Sequence, residues 1–124
     1  MSQMIDVKTS ELSGPALRWA VAQAERLEVT IHPPAYGNGH RITVKGRPEA
    51  YRPDMDWGQG GPLIENYKLD IGAPMESKQG PWNANTEWGN PLGCKGETPL
   101  IAACRAIVAA KLGDTVTVPA ELLP

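Results

Sequence analysis

Phenylalanine is absent from this 124-residue chain, whose aromatic side chains are four Trp and three Tyr. Core packing alone gives no reason to exclude Phe. Rings with a polar handle suit half-buried positions, where one edge meets water or a ligand. Clustered cations are also lacking: twelve Lys and Arg face fourteen Asp and Glu, giving a net charge of −2 and a pI near 5.6. Binding along a nucleic-acid backbone needs a basic patch, so generic nucleic-acid binding is not expected. A small, locally basic site for one phosphorylated metabolite stays open. No apolar run approaches the ~20 residues that span a bilayer, so no membrane role is expected. The opening Met1-Ser-Gln-Met-Ile-Asp6 has neither a charged n-region nor an apolar stretch, and no signal peptide is expected. Cysteine is scarce. Cys94 and Cys104 have no CxxC pairing and read as reduced thiols rather than a disulfide, which places the protein in a bacterial-type cytosol. Neither GxxxxGK[ST] nor GxGxxG occurs, so there is no signature of a P-loop or a dinucleotide fold.

What is present is concentrated in the middle. Gly and Pro number 25 together, and nineteen of them fall between Pro33 and Gly96, with six of the seven aromatic residues. The densest stretch is Tyr51-Arg-Pro-Asp-Met-Asp-Trp-Gly-Gln-Gly-Gly-Pro62. Two carboxylates, an indole and an amide on a turn-prone backbone suggest a surface built to touch something.

The chain is long enough for one domain spanning 1–124, which buries roughly two-thirds of its unfolded surface without staples. Residues 1–12 read as an N-terminal arm with room to move, and 119–124 as a short tail. Ser13 followed by Gly14-Pro15 starts a helix, and Ala16, Leu17, Ala20, Val21, Ala24 and Leu27 fall on one face. Trp19 projects from the edge of that stripe. Val29 and Ile31, then Ile42 and Val44, alternate with polar residues and predict a hairpin whose loop runs through Tyr36. Residues 63–66 predict a single helical turn, 67–71 a strand and 82–85 another short strand, followed by a Gly/Pro-rich loop to Gly96. Thr98-Pro99 starts the clearest helix, running to Leu112 and stopped by Gly113. It is apolar nearly all round, so a further surface must cover it. That cover is expected from the first helix or from a second subunit, hence a homo-oligomer, most simply a dimer. Val116 and Val118 suggest a last short strand. The expected fold is α+β: a small, mainly antiparallel sheet packed by two main helices, with long Gly/Pro-rich loops.

Three stretches resemble one family. Lys8-Thr-Ser-Glu-Leu-Ser-Gly-Pro-Ala-Leu-Arg-Trp-Ala-Val-Ala22 is similar to the opening of the NinX-type family of small phage and prophage proteins. Asp56-Trp-Gly-Gln-Gly-Gly-Pro-Leu-Ile-Glu65 resembles its central motif, and residues 98–114 resemble its closing helix. The resemblance spans nearly the whole chain in the family's order. It implies action in the cytoplasm of an infected bacterium. It carries over no activity, cofactor or catalytic residue, because the family has none assigned.

Candidate chemistry is therefore read from the residues. Asp54 and Asp56 are too few for a calcium loop and read as one turn cap and one solvated carboxylate. Trp57, Gln59, Gly60 and Gly61 have two open readings. An indole plane, a bidentate amide and approachable backbone N–H groups could hold a base or ribose-phosphate. Equally, the glycines could turn the chain while Trp57 plugs the core. Trp82 and Asn83 repeat the grouping more weakly, and Trp82 fits a core ring better than a second pocket wall. Arg105 could contact an anion or pair with a carboxylate. His32 and His40 lack partners at zinc spacing, so no metal or other cofactor is expected. No catalytic set is expected either. The resulting expectation is a non-catalytic binder that sequesters a small nucleotide-like host molecule, with Asp54, Asp56, Trp57, Gln59, Gly60, Gly61, Trp82, Asn83 and Arg105 as its site. The alternative is a module that binds a host or phage enzyme, and last comes a hydrolase using Asp54, Asp56 or His40.

Overall fold

A computed structural model describes residues 3–35, 39–74, 80–86 and 93–124. In chain order its elements are β1 (Met4–Lys8), α1 (Gly14–Ala24), β2 (Val29–His32), β3 (Arg41–Val44) and α2 (Trp57–Tyr67). They continue as β4 (Asp70–Gly72), β5 (Trp82–Asn85), β6 (Cys94–Gly96), α3 (Pro99–Leu112) and β7 (Thr115–Pro119). The chain is α+β with antiparallel strand pairing, as expected, and the pairing is divided among small sheets. The described residues form three helices and three small antiparallel sheets, β1–β7, β2–β3 and β4–β5–β6.

The end helix organises the rest. Thr98 Oγ1 accepts the N–H of Ile101 at 3.1 Å and Pro99 sits where a missing N–H costs nothing. Gly113, at φ 96° and ψ −172°, ends α3 in a region that side chains exclude. Between these caps, Leu100, Ala102, Ala103, Cys104, Ala106, Ile107 and Val108 are all buried. Helices α1 and α2 pack on α3, as do strands β5 and β6. Much of the apolar circumference of α3 is thus covered within one chain, while Leu112 stays 38% exposed. Ile107 and Val108 join Leu17 and Val21 of α1, Ile42 of β3 and Val118 of β7 in the main core, with Trp19 packed against it. Burying side chains of this kind is worth about 1.5–3 kcal/mol each. On the sheet side, Ala84, Ala102 and Ala106 form a second, thinner cluster under Trp82 and Ile71. Small residues set that spacing: a Cβ on Gly96 would meet the backbone of Ala102, with Cα at 2.9 Å.

Four expectations are corrected. The Gly-Gly-Pro stretch is helical, because α2 begins at Trp57 and carries Pro62 in its interior. Tyr67 closes that helix, so the next strand is Asp70–Gly72 rather than 67–71. Strand β6 occupies three residues read as loop, too short a run to show a period. The N-terminal arm holds β1, paired with β7 through Ile5↔Val118 and Val7↔Val116. Buried Leu12 and Leu122 fix both the arm and the tail to the core. The hairpin is as expected, with Val29 opposite Val44 and Ile31 opposite Ile42. The loop segments at Tyr36 and Trp88 lie outside the described residues. No helix among the described residues is long and apolar enough to cross a membrane.

Candidate functional site

Side chains from several elements fix the passage between β3 and α2. Gln59 uses both ends of its amide on the preceding backbone: Oε1 accepts the N–H of Arg52 at 2.6 Å and Nε2 donates to Ala50 O at 2.9 Å. Asp54 is only 5% exposed and forms a two-point pair with Arg18 of α1, Nε to Oδ1 at 2.8 Å and Nη2 to Oδ2 at 3.3 Å. Burying a carboxylate is tolerable only with such a partner. Asp56 caps α2, its Oδ1 accepting the Gly58 N–H at 2.8 Å. Gly60 lies against the Pro53 carbonyl and Leu100, where a Cβ would stand 2.6 Å from Leu100 Cδ2. Gly61 faces open space.

Beside these bonded side chains, two large apolar ones point outward. Met55 is 62% exposed and Trp57 58% exposed. Met55 Sδ also receives Arg18 Nη2 at 3.0 Å. These two side chains border a cavity of about 400 Å³ whose other walls are Gly14, Arg18, Asp54 and residues 98–101. A second cavity of about 400 Å³ adjoins it through Arg18 and Met55, and is lined further by His40, Arg41, Tyr51 and Arg52. Among the described residues neither Arg41 nor Arg52 has an acidic partner within 4.0 Å.

Of the nine residues singled out from sequence, six are contiguous here: Asp54, Asp56, Trp57, Gln59, Gly60 and Gly61. Asp56 is a cap, as one of the two carboxylates was expected to be, whereas Asp54 is buried in an ion pair rather than solvated. Asp54 and Gln59 engage both ends of their polar groups within the protein, and Asp56 engages Oδ1 in its cap. The N–H groups of Gln59 and Gly60 both donate to Asp56 O, so no nest of free backbone donors forms. Trp57 does not plug the core. The other three residues are elsewhere. Trp82 is half-buried over the alanine cluster. Asn83 Oδ1 accepts Lys95 Nζ at 2.8 Å across β5 and β6. Arg105 on α3 donates from Nε to Leu12 O at 2.9 Å and from Nη1 to Lys95 O at 2.8 Å. None of the three lines the cavity beside Trp57, so a pocket walled by two indoles is not formed there. Sequence reasoning passed over Met55 and Arg18. The signal for Met55 was an apolar side chain set between two acids, and Arg18 showed only as a charge off the apolar face of its helix.

Two thiols and two imidazoles remain to be placed. Burial pushes the Cys94 thiol up, helped by Asp114 and opposed by Arg105 and Lys95, which is the reverse of what a nucleophile needs. Cys104 is raised further by burial and by Asp54. Both thiols are free. His32 Nε2 meets Thr43 Oγ1 at 2.8 Å across the hairpin, while His40 Nε2 lies 3.9 Å from Glu121. No three His, Cys, Asp or Glu side chains among the described residues converge on a point that could hold a metal ion.

The geometry defines a class: an α+β protein with exposed Trp57 and Met55 beside a segment whose Asp54 and Gln59 are bonded internally. Residues 8–111 match the family model described as Bacteriophage P22, NinX. The chain therefore belongs to the NinX family of phage proteins, as its three motifs implied. Among curated proteins no match is found.

Proposed function

We propose that this phage protein is a non-catalytic accessory factor that docks a host or phage protein on the Trp57–Met55 patch in the cytoplasm of the infected cell. The observation that carries the reading is the exposure of two large apolar side chains on a segment whose other members are fixed. Trp is strongly enriched among residues that dominate binding energy, and Met adapts to irregular partners. Pre-organisation lowers the ordering cost of association. Arg41 and Arg52 beside the patch favour a partner segment with an apolar anchor flanked by carboxylates.

A nucleotide-like small molecule is the second reading. The cavity beside the indole, about 400 Å³, lies within the size range of ligand sites. The amide and backbone donors that sequence assigned to such a ligand are engaged internally, so protein docking is preferred.

Native mass spectrometry of the protein with host extract separates the two. A stoichiometric complex with one protein is expected for wild type and lost for Trp57→Ala. Folding stability of that variant should stay within about 0.5 kcal/mol, as for other exposed positions. Arg52→Glu should weaken the complex as well. A discrete adduct of small-molecule mass would support the second reading. A partner retained equally by Trp57→Ala would remove the patch from the mechanism.

A further inference from the structure

The surface around Met55 carries two groups that find no counterpart within the chain. Trp57, 58% exposed, stands at the rim of one cavity of about 400 Å³. Arg41 and Arg52 line the adjoining cavity, also of about 400 Å³, and among the described residues neither guanidinium has a hydrogen-bond or acidic partner. Met55 and Arg18 belong to both cavities, so Met55 stands between the indole and the two arginines. Ile42 and Tyr51 supply apolar wall to the arginine side. A guanidinium over the face of an indole, within about 6 Å of its centre, is attracted by the ring, and Trp is the best ring for that contact. One face therefore carries both halves of a cation–π pair and holds them apart. Asp56 adds to the match. Its Oδ1 is taken by the cap of α2, while Oδ2 has no hydrogen bond among the described residues. The segment Met55-Asp56-Trp57 is thus itself an apolar anchor beside a carboxylate, which is the chemistry that Arg41 and Arg52 select.

We propose that a second copy of this chain occupies the face, in a twofold dimer whose axis passes beside Met55 and seats Trp57 of each copy on Arg41 and Arg52 of the other. A twofold contact uses the same patch on both partners, so a face that holds both halves of the pair is self-complementary and makes the contact twice. The arginine-lined cavity has room for an indole. Met55, 62% exposed in the single chain, leaves water at the axis, which adds apolar burial to the two cation–π contacts. The proposal rests on the docking reading of the Trp57–Met55 patch and extends it: the dimer is the form in which the patch is covered, and a host or phage protein binds by displacing the second copy.

The test is sedimentation equilibrium of the purified full chain, without host extract, from about 1 μM to about 1 mM, the range in which a small interface associates. A monomer–dimer equilibrium is expected. Each substitution acts twice in a twofold dimer, so Trp57→Ala and the double variant Arg41→Gln/Arg52→Gln should each raise the dimer Kd about tenfold or more. All three side chains are exposed, so both variants keep the fold. Mixing the two variants tests reciprocity. Trp57→Ala retains its arginines and the double variant retains its indole, so the mixed dimer regains one of the two contacts and should form more tightly than either variant alone. A wild type that stays monomeric throughout, a dimer untouched by Trp57→Ala, or no gain on mixing would overturn the proposal. The two readings fail separately: a monomeric wild type that still captures a host protein removes only the dimer, and a dimer with no foreign partner removes only the docking.

Discussion

Two adjacent glycines show how local context divides identical residues. Gly60 and Gly61 both lie inside α2, where glycine is about 1 kcal/mol less favourable than alanine. At Gly60 the lost propensity is offset by close approach, since any Cβ would strike the Pro53 carbonyl and Leu100 of α3. At Gly61 nothing lies within 4 Å of the Cβ position. Gly61→Ala should therefore stabilise the protein by about 0.5–1 kcal/mol, whereas Gly60→Ala should destabilise it by about 1–3 kcal/mol through overpacking. Urea unfolding of both variants at one pH measures the contrast, and equal effects would contradict it. Nothing in the string Gly-Gly-Pro distinguishes the two positions. The deciding atoms belong to residues 53 and 100, one of them forty positions away, so this part of the candidate site was not legible from sequence. The density of polar and aromatic groups in this segment was legible, whereas the direction in which each side chain points was not.

At the scale of elements, legibility followed the strength of local signals. The first and last helices each carry a proline in the first turn and a continuous apolar face, and the hairpin alternates cleanly, so all were foreseeable. Helix α2 was not, since glycine and proline argue against it. Its Asp56 cap and the burial of Gly60 and Leu63 outweigh that propensity. Pairing was the hardest feature to foresee. Strands β1 and β7 meet from opposite ends of the chain, and no local pattern announces such a partner. Helices α1 and α2 also end alike. Arg26 at φ 57° and Lys68 at φ 53° each occupy the left-handed region, followed by a leucine. The N–H of Leu27 reaches Ala22 O and that of Leu69 reaches Ile64 O, so each pair closes a Schellman turn. A side chain in that region costs about 1–2 kcal/mol, which glycine avoids at some cost in unfolded-state entropy. Arg26→Gly and Lys68→Gly should each raise stability by about 0.5–1 kcal/mol, additively because the sites are separate turns. A fall in thermal midpoint for either would show that the long side chain contributes more than its backbone costs.

For the whole molecule, the buried weak acids set an alkaline limit. Tyr51 and Tyr67 are both held well above the ordinary phenol range, first by burial and then by Glu25, whose carboxylate also accepts the Tyr67 hydroxyl proton in a hydrogen bond. Cys104, buried in α3, is raised in the same direction. Unfolded, the thiol releases its proton near pH 8.5 and the phenols near pH 10. The folded protein keeps these protons to higher pH, so above those values it binds more protons than the unfolded chain. Stability must then fall as pH rises, and the full contribution is present only below the unfolded values. Folding free energy from urea curves should decline from about pH 9 upward. The phenolate absorbance of Tyr51 and Tyr67 should appear together with unfolding rather than before it. Tyr51→Phe removes the more deeply buried of the two phenols and should flatten the decline, whatever it does to stability at pH 7. An unchanged slope in that variant would leave Tyr67 and Cys104 as the source of the alkaline sensitivity.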